Sequence, residues 1–290
     1  MEAQRRGQSL NLHEAPFVKR ASAAGEDMRC EASALRWLGE ATADGGIHVA
    51  AVIDADRAQL QEERVHQAPP SPERARLIGR GLARMHAAGA PWWGCPPDGW
   101  GFVWGDAYVL QQSRVPVARR EEAPDTWGAF SAEYRVRAFA RQVRDEGELD
   151  AAQVRLVERL CARLERSDFD APQPALVEQR IASSGGTLVC ARLHGDLWAG
   201  NVLYDDSDTG ATLIDPFAHG GHAETDLAML QRFGYPYLDE VLAAYNEVSP
   251  LADGWRDRVS LHQLAPLLHH VVLYGGSYIG AAMRIVHRYV

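Results

Sequence analysis

Apolar residues near the start of the chain are spaced in two ways, which predict a strand followed by a helix. The apolar run over residues 15–18 ends at Lys19 and is typical of a strand. Further on, Met28, Leu35 and Leu38 fall at helical spacing. We therefore expect a short strand and then an amphipathic helix.

The next segment predicts the end of a smaller, strand-containing lobe. Residues 49–53 are a β-branched and alanine run typical of a strand, and a second strand-like segment lies near Leu60. Residues 67–72 are rich in proline and predict a linker. We expect a nucleotide-binding lobe over residues 1–64 and a catalytic and substrate lobe over residues 65–290.

The larger lobe is predicted to be mainly helical. Ser71 is a good helix N-cap, and Pro72 suits the first helical position. The apolar positions that then recur at helical spacing are Leu77, Ile78, Leu82 and Met85. Residues 127–166 follow a charged helical pattern, and the long apolar stretch over residues 264–283 predicts a buried helix.

Between these helical parts, the pattern returns to strands. Residues 187–191 predict a short strand. Residues 201–204 and 211–214 predict a hairpin, because the turn-forming residues 205–210 separate them. A hairpin of this kind would bring Asn201 and the residue after its second strand to the same end.

Composition restricts the class of protein. The 290 residues are 46% hydrophobic and 24% charged, as in a soluble globular protein. The net charge of −9 provides no broad positive field for nucleic acid. We expect no signal peptide and no membrane span, because the apolar stretch near the end contains histidines and glycines. The cysteines are scattered, which favours a reducing cytoplasm over disulfides or zinc: Cys30, Cys95, Cys161 and Cys190.

The segment His194–Asn201, with Asp215 beyond it, carries the candidate chemistry. Phosphoryl transfer needs an acceptor for the proton of the attacking hydroxyl and oxygen ligands for Mg²⁺. Asp196 suits the first task, and Asn201 and Asp215 suit the second. Because these spaced residues also occur in ordinary turns, an inert polar hairpin is the alternative interpretation.

A second signal lies in the basic residues. Lysine and arginine together number 30, and Lys19 is the single lysine. A lysine differs from an arginine where a compact charge must reach a phosphate. Glu31 follows on the predicted helix, and a strand lysine paired with a helix glutamate orients the phosphates of ATP in kinase-type sites. A solvated lysine is the alternative.

These motifs resemble the fructosamine kinase family, or ketosamine-3-kinases, within the kinase-like fold shared with aminoglycoside and choline kinases. The similarity extends over roughly residues 17–289. The strings that carry it are HGDLWAGN at 194–201, LIDP at 213–216, GGHAETDLAML at 220–230, GLARMH at 81–86 and WGAF at 127–130. The tryptophan in the first string and the GGHAETDLAML run distinguish this family from aminoglycoside kinases.

The resemblance implies an α+β, protein-kinase-like fold of two lobes, with an N-terminal β-lobe and a mainly helical C-terminal lobe. We expect the N-terminal β-lobe to be shortened, because few residues precede Lys19. It implies ATP- and Mg²⁺-dependent phosphorylation of a sugar hydroxyl, expected to be the 3-hydroxyl, on a ketoamine. Such acceptors are ribulosamine, erythrulosamine or fructosamine adducts of protein lysines or free amines. No nucleic-acid or membrane partner is expected.

The resemblance also assigns roles residue by residue. Asp196 would be the catalytic base, Asn201 and Asp215 the magnesium ligands, and Lys19 with Glu31 the phosphate-orienting pair. Asp226 would brace the catalytic loop, and Trp198 would help to shape the sugar pocket. The remaining residues expected to support the loop or the substrate are His194, His222 and Glu224.

One feature departs from the family pattern. Kinases of this fold cover the ATP phosphates with a glycine-rich turn between two strands, yet only 18 residues precede Lys19. Residues 1–12 contain one glycine and little strand alternation. The expectation is a trimmed lobe, a start upstream of Met1, or weakened ATP binding. A pseudokinase that binds without turnover is therefore an alternative function.

Two further alternatives remain open. His219, His222 and Glu224 have a spacing that could bind zinc in a metallohydrolase, or they could hold a loop through hydrogen bonds. The segment over residues 89–106 predicts an ordered loop. Its tryptophans could stack on a sugar or a base, although packing is the interpretation favoured for most of them: Trp92, Trp93, Trp100 and Trp104.

Overall fold

The computed structural model of the chain describes residues 15–22, 25–98, 100, 105–110 and 113–290. Within these ranges, ten short strands form four small sheets. The strands are β1 (Phe17–Arg20), β2 (His48–Val49), β3 (Val52–Ala55), β4 (Gln59–Glu62), β5 (Ala107–Leu110), β6 (Ser113–Pro116), β7 (Ala191–Leu193), β8 (Val202–Tyr204), β9 (Ala211–Leu213) and β10 (His219–Gly221).

Helices make up most of the chain after β4. A π-helical turn, Ala132–Arg137, joins α3 to α4. The α-helices are α1 (Met28–Gly39), α2 (Pro72–Ala87), α3 (Trp127–Ser131), α4 (Ala138–Asp145), α5 (Ala151–Glu165), α6 (Ala175–Ser183), α7 (Ala223–Arg232), α8 (Leu238–Val248), α9 (Trp255–His262), α10 (Leu264–Tyr274) and α11 (Ile279–Tyr289). The predicted α+β class is thus confirmed.

The strand and the helix predicted at the start of the chain are both present. Strand β1 pairs antiparallel with β4, which also pairs with β3. Helix α1 packs on this sheet and begins after Asp27, whose side chain accepts the N–H of Arg29 at 3.1 Å. Lys19 lies opposite Leu60 in the register, so the lysine is carried on an edge strand of the sheet.

The single strand predicted over residues 49–53 is wrong, because the segment divides between two sheets. Strand β2 pairs in parallel with β9 of the hairpin, whereas β3 pairs antiparallel with β4. Ala50 and Ala51 lie between β2 and β3 and belong to neither strand. The pairing of His48 with Thr212 also ties the first 64 residues to the rest of the chain. The boundary at residue 64 therefore stays a prediction.

The hairpin predicted around the candidate site is confirmed, but the strand before it begins later than expected. Strands β8 and β9 pair antiparallel, with Val202 opposite Leu213. The strand predicted at 187–191 lies instead at β7, because its partner β10 offers only three residues for pairing. The hydroxyl of Thr187 donates to Ser184 O at 2.9 Å, so that residue belongs to a turn.

The C-terminal apolar stretch forms two helices and not the single predicted one. Helix α10 ends at Tyr274. The helical path is interrupted at Gly275, and α11 begins at Ile279. Both helices contribute buried side chains to one hydrophobic cluster that also includes residues from α1 and β4.

Two expectations drawn from composition can be compared with the structure. The four cysteines are all buried and free. Burial raises the pKa of the Cys30 thiol to about 12, which makes it a poor candidate for a redox-sensitive thiolate. Over the described ranges, no helix has both the length and the apolar character needed to cross a membrane.

Helix α2 is the main scaffold beneath the candidate site. It begins as predicted, with the Ser71 hydroxyl accepting the N–H of Arg74 at 3.2 Å. It packs closely along α8 at Gly79, where an added Cβ would lie 2.2 Å from the carbonyl oxygen of Val241. A glycine is required at this position because the neighbouring backbone occupies the space of a side chain.

Replacing Gly79 with alanine should therefore destabilise the protein by about 2 kcal/mol or more, because overpacking separates α2 from α8. The free energy of unfolding in urea measures this loss. The control is Gly39→Ala at the end of α1, where nothing lies within 4 Å of the new methyl group. We expect the control to be neutral or stabilising by up to about 1 kcal/mol. Equal effects at both positions would contradict the close packing of the two helices.

Candidate active site

The loop between β7 and β8 carries the HGDLWAGN string and is held from below by Asp226. The carboxylate of Asp226 accepts the backbone N–H of His194 at 2.7 Å and that of Gly195 at 3.0 Å. Asp226 is buried at the start of α7. The structure therefore places Asp226 where a brace for the loop was expected.

His194 ties the loop to the strand that precedes Asp215. Its Nδ1 accepts the backbone N–H of Asp196 at 3.2 Å, and its Nε2 donates to the carbonyl of Ile214 at 2.9 Å. Burial lowers the pKa of His194, so the ring is neutral and the proton resides on Nε2. The ring thus spans the two carboxylate-bearing segments of the site.

Gly195 allows the loop to turn so closely. It has a φ of 85°, and an added Cβ would lie 2.2 Å from the carbonyl oxygen of Phe217. Both the left-handed backbone and the close approach exclude any other residue without a shift of the loop.

Asp196 is half-buried, and its carboxylate is held by an amide. Asn201 Nδ2 donates to Asp196 Oδ2 at 3.0 Å and to Asp196 O at 2.9 Å. Burial raises the pKa of Asp196 to about 7; the Asn201 hydrogen bond opposes this shift, and the nearby charges of Asp215 and Asp226 add to it. A carboxylate with a pKa near neutrality can accept a proton from a hydroxyl during reaction.

The predicted lysine–glutamate pair is formed, and it includes Asp215. Lys19 Nζ lies 2.8 Å from Glu31 Oε2 and 3.1 Å from Asp215 Oδ1. Burial alone would lower the pKa of Lys19, but the two carboxylates outweigh it and raise the pKa above its ordinary value. The lysine is therefore a fixed positive charge between α1 and the hairpin.

Asp215 and Asn201 form a donor set that fits Mg²⁺. Asp215 has a positive φ of 55°, which for a non-glycine residue often marks a functional site. Its side chain is 40% exposed, so a carboxylate oxygen remains accessible beside Lys19. Because the Asn201 nitrogen faces Asp196, Asn201 Oδ1 is the amide atom that could bind a cation. A carboxylate and an amide oxygen are ligands that Mg²⁺ prefers.

His86 is a supporting residue to which the sequence analysis gave no role. Its Nε2 lies 3.2 Å from Asp226 Oδ2, and its Nδ1 lies 2.9 Å from the hydroxyl of Tyr245. Burial by itself would raise the pKa of Asp226, but the bonds from His86 and the loop hold it below its ordinary value. The position of His86 within a matching string was the available signal, but its partners lie more than 100 residues away.

A cavity lined by aromatic and histidine side chains opens beside Asp196. Arg135 on the π-helical turn also lines it. The ring-bearing residues that line it are Trp127, Phe130, Phe139, Phe217, His219, His222, His262, His269 and His270. Its mainly apolar lining with a few polar groups is typical of a small-molecule site, but its free volume is only about 50 Å³, so a ligand would have to displace side chains.

Trp198 lies outside the lining of this cavity. Its ring is 39% exposed and meets the ring of Phe233 edge-on, with centroids 6.3 Å apart. Phe233 in turn contacts His270, which lines the cavity. A direct role for Trp198 in the sugar pocket thus stays a prediction.

Two of the residues considered for zinc, His222 and Glu224, already use their polar atoms, and His219 lies outside the group of side chains close enough to share an ion. His222 caps α7, with Nδ1 accepting the N–H of Glu224 and Nε2 donating to Ala171 O, both at 3.2 Å. Glu224 accepts two bonds from Arg258, at 2.9 and 2.6 Å. His222, Glu224 and His262 do lie close enough to share an ion, but these bonds leave no free ligand set at His222 and Glu224. The geometry therefore favours the structural role.

The tryptophan loop shows packing at the positions that the structure describes. Trp92 Nε1 donates to Ala118 O at 2.9 Å, and Trp100 Nε1 donates to Gly105 O at 3.0 Å. Trp93 and Trp100 are buried. Trp104 lies outside the described residues, as does the segment 1–12 in which the glycine-rich turn was sought.

The ionisation of Glu224 should make the free energy of unfolding depend on pH. Burial would raise its pKa, but the bonds from His262 and Arg258 lower it to about 2. A depressed folded pKa stabilises the protein above the unfolded pKa, near 4.5, and this stability is lost as pH falls towards 2. We expect Glu224→Gln to cost about 3 kcal/mol at pH 7 and much less near pH 3.

Urea unfolding at a series of pH values measures this difference. The control is Glu146→Gln, at an exposed position in the loop after α4. This variant should change the free energy of unfolding by less than about 0.5 kcal/mol at any pH. If the difference in free energy of unfolding between wild type and Glu224→Gln does not decrease as the pH falls, Glu224 does not have the lowered pKa assigned to it.

Comparisons with known proteins agree with this geometry. The model of the fructosamine kinase family matches residues 13–290. A structure from Thermobifida fusca, provisionally assigned as a fructosamine-3-kinase, is 40% identical, covers 93% of this chain and 84% of that chain, and superposes with a TM-score of 0.76.

Among curated relatives, a probable ketoamine kinase of Enterococcus faecium is 44% identical over 86 residues, which is 30% of this chain and 30% of that protein. The chain thus spans about a third of the length of the first curated relatives that it matches. An ADP-bound aminoglycoside phosphotransferase is 11% identical and superposes with a TM-score of 0.52; the match covers 94% of this chain and 93% of that chain. This likeness shows that the chain has the protein-kinase-like fold. The chain belongs to the fructosamine kinase family.

Proposed function

We propose that this protein is an ATP-dependent kinase that phosphorylates a sugar hydroxyl of a ketoamine, with the 3-hydroxyl as the expected target. The observation that carries the proposal is the position of Asp196 beside an aromatic cavity. Asp196 is also close enough to Asp215 and Lys19 for their charges to shift its pKa. A phosphoryl donor and a sugar acceptor could therefore meet at one carboxylate. The descriptions of the two relatives as ketoamine and fructosamine kinases support the choice of acceptor.

Lys19, Asp215 and Asn201 would bind the phosphates of ATP. Lys19 is held by Glu31 and supplies a compact positive charge. Mg²⁺ on Asp215 and Asn201 would neutralise charge on the transferring phosphoryl group. Because Glu31 fixes the lysine in advance, the site needs little rearrangement when the phosphates bind.

Asp196 would act on the acceptor. As the sugar oxygen bonds to the γ-phosphorus, the bond to the β-phosphate oxygen breaks, and ADP leaves. The proton of the sugar hydroxyl passes to an oxygen of the Asp196 carboxylate. Asn201 orients that carboxylate through its donated hydrogen bond.

The acceptor class and the location of the enzyme follow from the same features. Ribulosamine, erythrulosamine and fructosamine adducts are the sugars to be compared, and the amine is either a protein lysine or a small molecule. We place the enzyme in the cytoplasm, which the four free cysteines support. The pseudokinase alternative rested on the short segment of 18 residues before Lys19, most of which lies outside the described part of the chain, whereas the contact between Lys19 and Glu31 supports a kinase.

Asp196→Asn should lower kcat by about 10²–10⁴-fold, because the amide cannot accept the proton, while ATP binding is retained. Coupled measurement of ADP release with a ribulosamine acceptor gives kcat, and calorimetry gives the affinity for ATP. Asp208→Asn, an exposed turn residue of the same hairpin, is the matched control and should be fully active. Normal turnover by Asp196→Asn would remove the base assignment.

Lys19→Arg should also impair turnover, by about 10-fold or more, although it preserves the charge. The planar guanidinium cannot take the place of an ammonium that lies 2.8 Å from one carboxylate and 3.1 Å from another. The same ADP assay measures the loss, and Arg20→Lys on the exposed side of β1 serves as the reverse control. Wild-type kinetics for Lys19→Arg would show that any cation suffices there.

A further inference from the structure

Arg135 is a buried arginine that lacks an acidic partner. It is 8% exposed and lines the cavity beside Asp196. Its Nη1 donates to the carbonyls of Pro116 and Tyr134 at 2.7 and 2.8 Å, and its guanidinium lies 4.8 Å from the centre of the Phe130 ring. Its Nη2 is buried with no hydrogen-bond partner among the described residues. One donor group of this cavity-lining arginine thus has no partner among the described residues.

His269 has a second unused polar atom in the same cavity. It is 7% exposed and stacks on Phe139, with centroids 4.8 Å apart. Its Nε2 is also buried and has no partner among the residues that the structure describes. Burial lowers the pKa of His269 to about 3, and the neighbouring His270 and Arg135 lower it further. The ring is therefore neutral, and its Nε2–H tautomer can donate one hydrogen bond.

The charge on Arg135 has no counterpart in this part of the fold. No carboxylate of the described residues shifts the pKa of Arg135, and the neighbouring His219 is neutral because burial and Arg135 lower its pKa to about 3. Burial likewise lowers the pKa of Arg135 to about 9. A buried charge without a counter-ion is destabilising, even when carbonyls accept some of its N–H groups, and an anionic ligand would reduce that penalty.

The backbone that carries Arg135 is also unusual. Residues Ala132–Arg137 form a π-helical turn between α3 and α4. Turns of this kind are rare and occur frequently at functional sites, where the extra residue changes the direction of a side chain. Of the two arginines on this turn, Arg135 lines the cavity. Arg137 instead forms ion pairs with glutamates outside the cavity.

We propose that Arg135 and His269 form a carboxylate-binding subsite in the acceptor pocket, so that the preferred acceptor is a ketoamine formed on a free amino acid. The inference rests on the proposed kinase function and names the substrate class. A single carboxylate matches one free arginine donor and one histidine donor. A phosphate dianion would need more compensation than these groups provide, and a sugar hydroxyl would leave the buried positive charge unpaired.

The test compares two acceptors of nearly the same shape. They are the ribulosamine adducts of glycine and of glycinamide, in which an amide replaces the carboxylate. We expect the wild-type kcat/KM for the glycine adduct to exceed that for the glycinamide adduct by about 10–100-fold, as for one charge-assisted pair. In Arg135→Gln the ratio should fall towards 1.

Arg163→Gln is the matched control. Its guanidinium also covers a phenylalanine ring, with Cζ 4.5 Å from the centre of Phe169, but it does not line the cavity. The ratio should keep its wild-type value in this variant. If Arg135→Gln does not fold, His269→Gln replaces it, and the ratio should then fall by several-fold.

Two results would overturn the subsite. The first is a wild-type ratio of the two kcat/KM values near 1. The second is a ratio that Arg135→Gln leaves unchanged while kcat/KM falls for both adducts. This second result would mean that Arg135 contacts the sugar or only supports the cavity. Failure of the kinase proposal is distinguishable, because the wild type would then turn over neither adduct. In that event, calorimetric binding of the two adducts tests the subsite without turnover, and equal affinities would overturn it.

Discussion

The geometry of the candidate active site depends on the hydrogen bonds of one buried carboxylate, Asp226. It fixes the backbone at His194 and Gly195 and receives a further bond from His86 on α2. A buried carboxylate that accepts several N–H groups can bear its charge without solvent. Because the bonds reach a loop, a strand end and a helix, the packing of α2 and α7 is transmitted directly to the position of Asp196.

Charge is distributed unequally on the two sides of that loop. On the side proposed to bind the nucleotide, Lys19 lies among carboxylates, and the buried Glu62 adds another whose Oε2 has no partner in the described structure. Burial, together with the charges of Glu31 and Asp215, raises the pKa of Glu62 to about 8. A donor that arrives with a divalent cation would balance this acidic side. The cavity on the other side is aromatic and holds an unpaired arginine.

Much of the site could be predicted because its residues are close in the sequence. Asp196, Asn201 and Asp215 belong to one loop and one hairpin, so turn chemistry and strand pairing place them together. The pairing of Lys19 with Glu31 required only a strand followed by a helix. The helix at Ser71 was likewise signalled by its own capping residues. In each case the determining interactions span a few dozen residues at most.

The sequence by itself thus determined the family, many of the local elements and the chemical groups of the proposed phosphoryl-transfer site. Tertiary structure decided how residues 49–53 divide between two sheets, where β7 begins, and which distant side chains support or line the site. His86 meets an aspartate 140 positions later, and Arg135 is buried with no acidic partner among the described residues because β6, α10 and the π-helical turn surround it. Periodicity reports which face of an element is buried, but it cannot report which elements meet, since that depends on the packing of the whole chain.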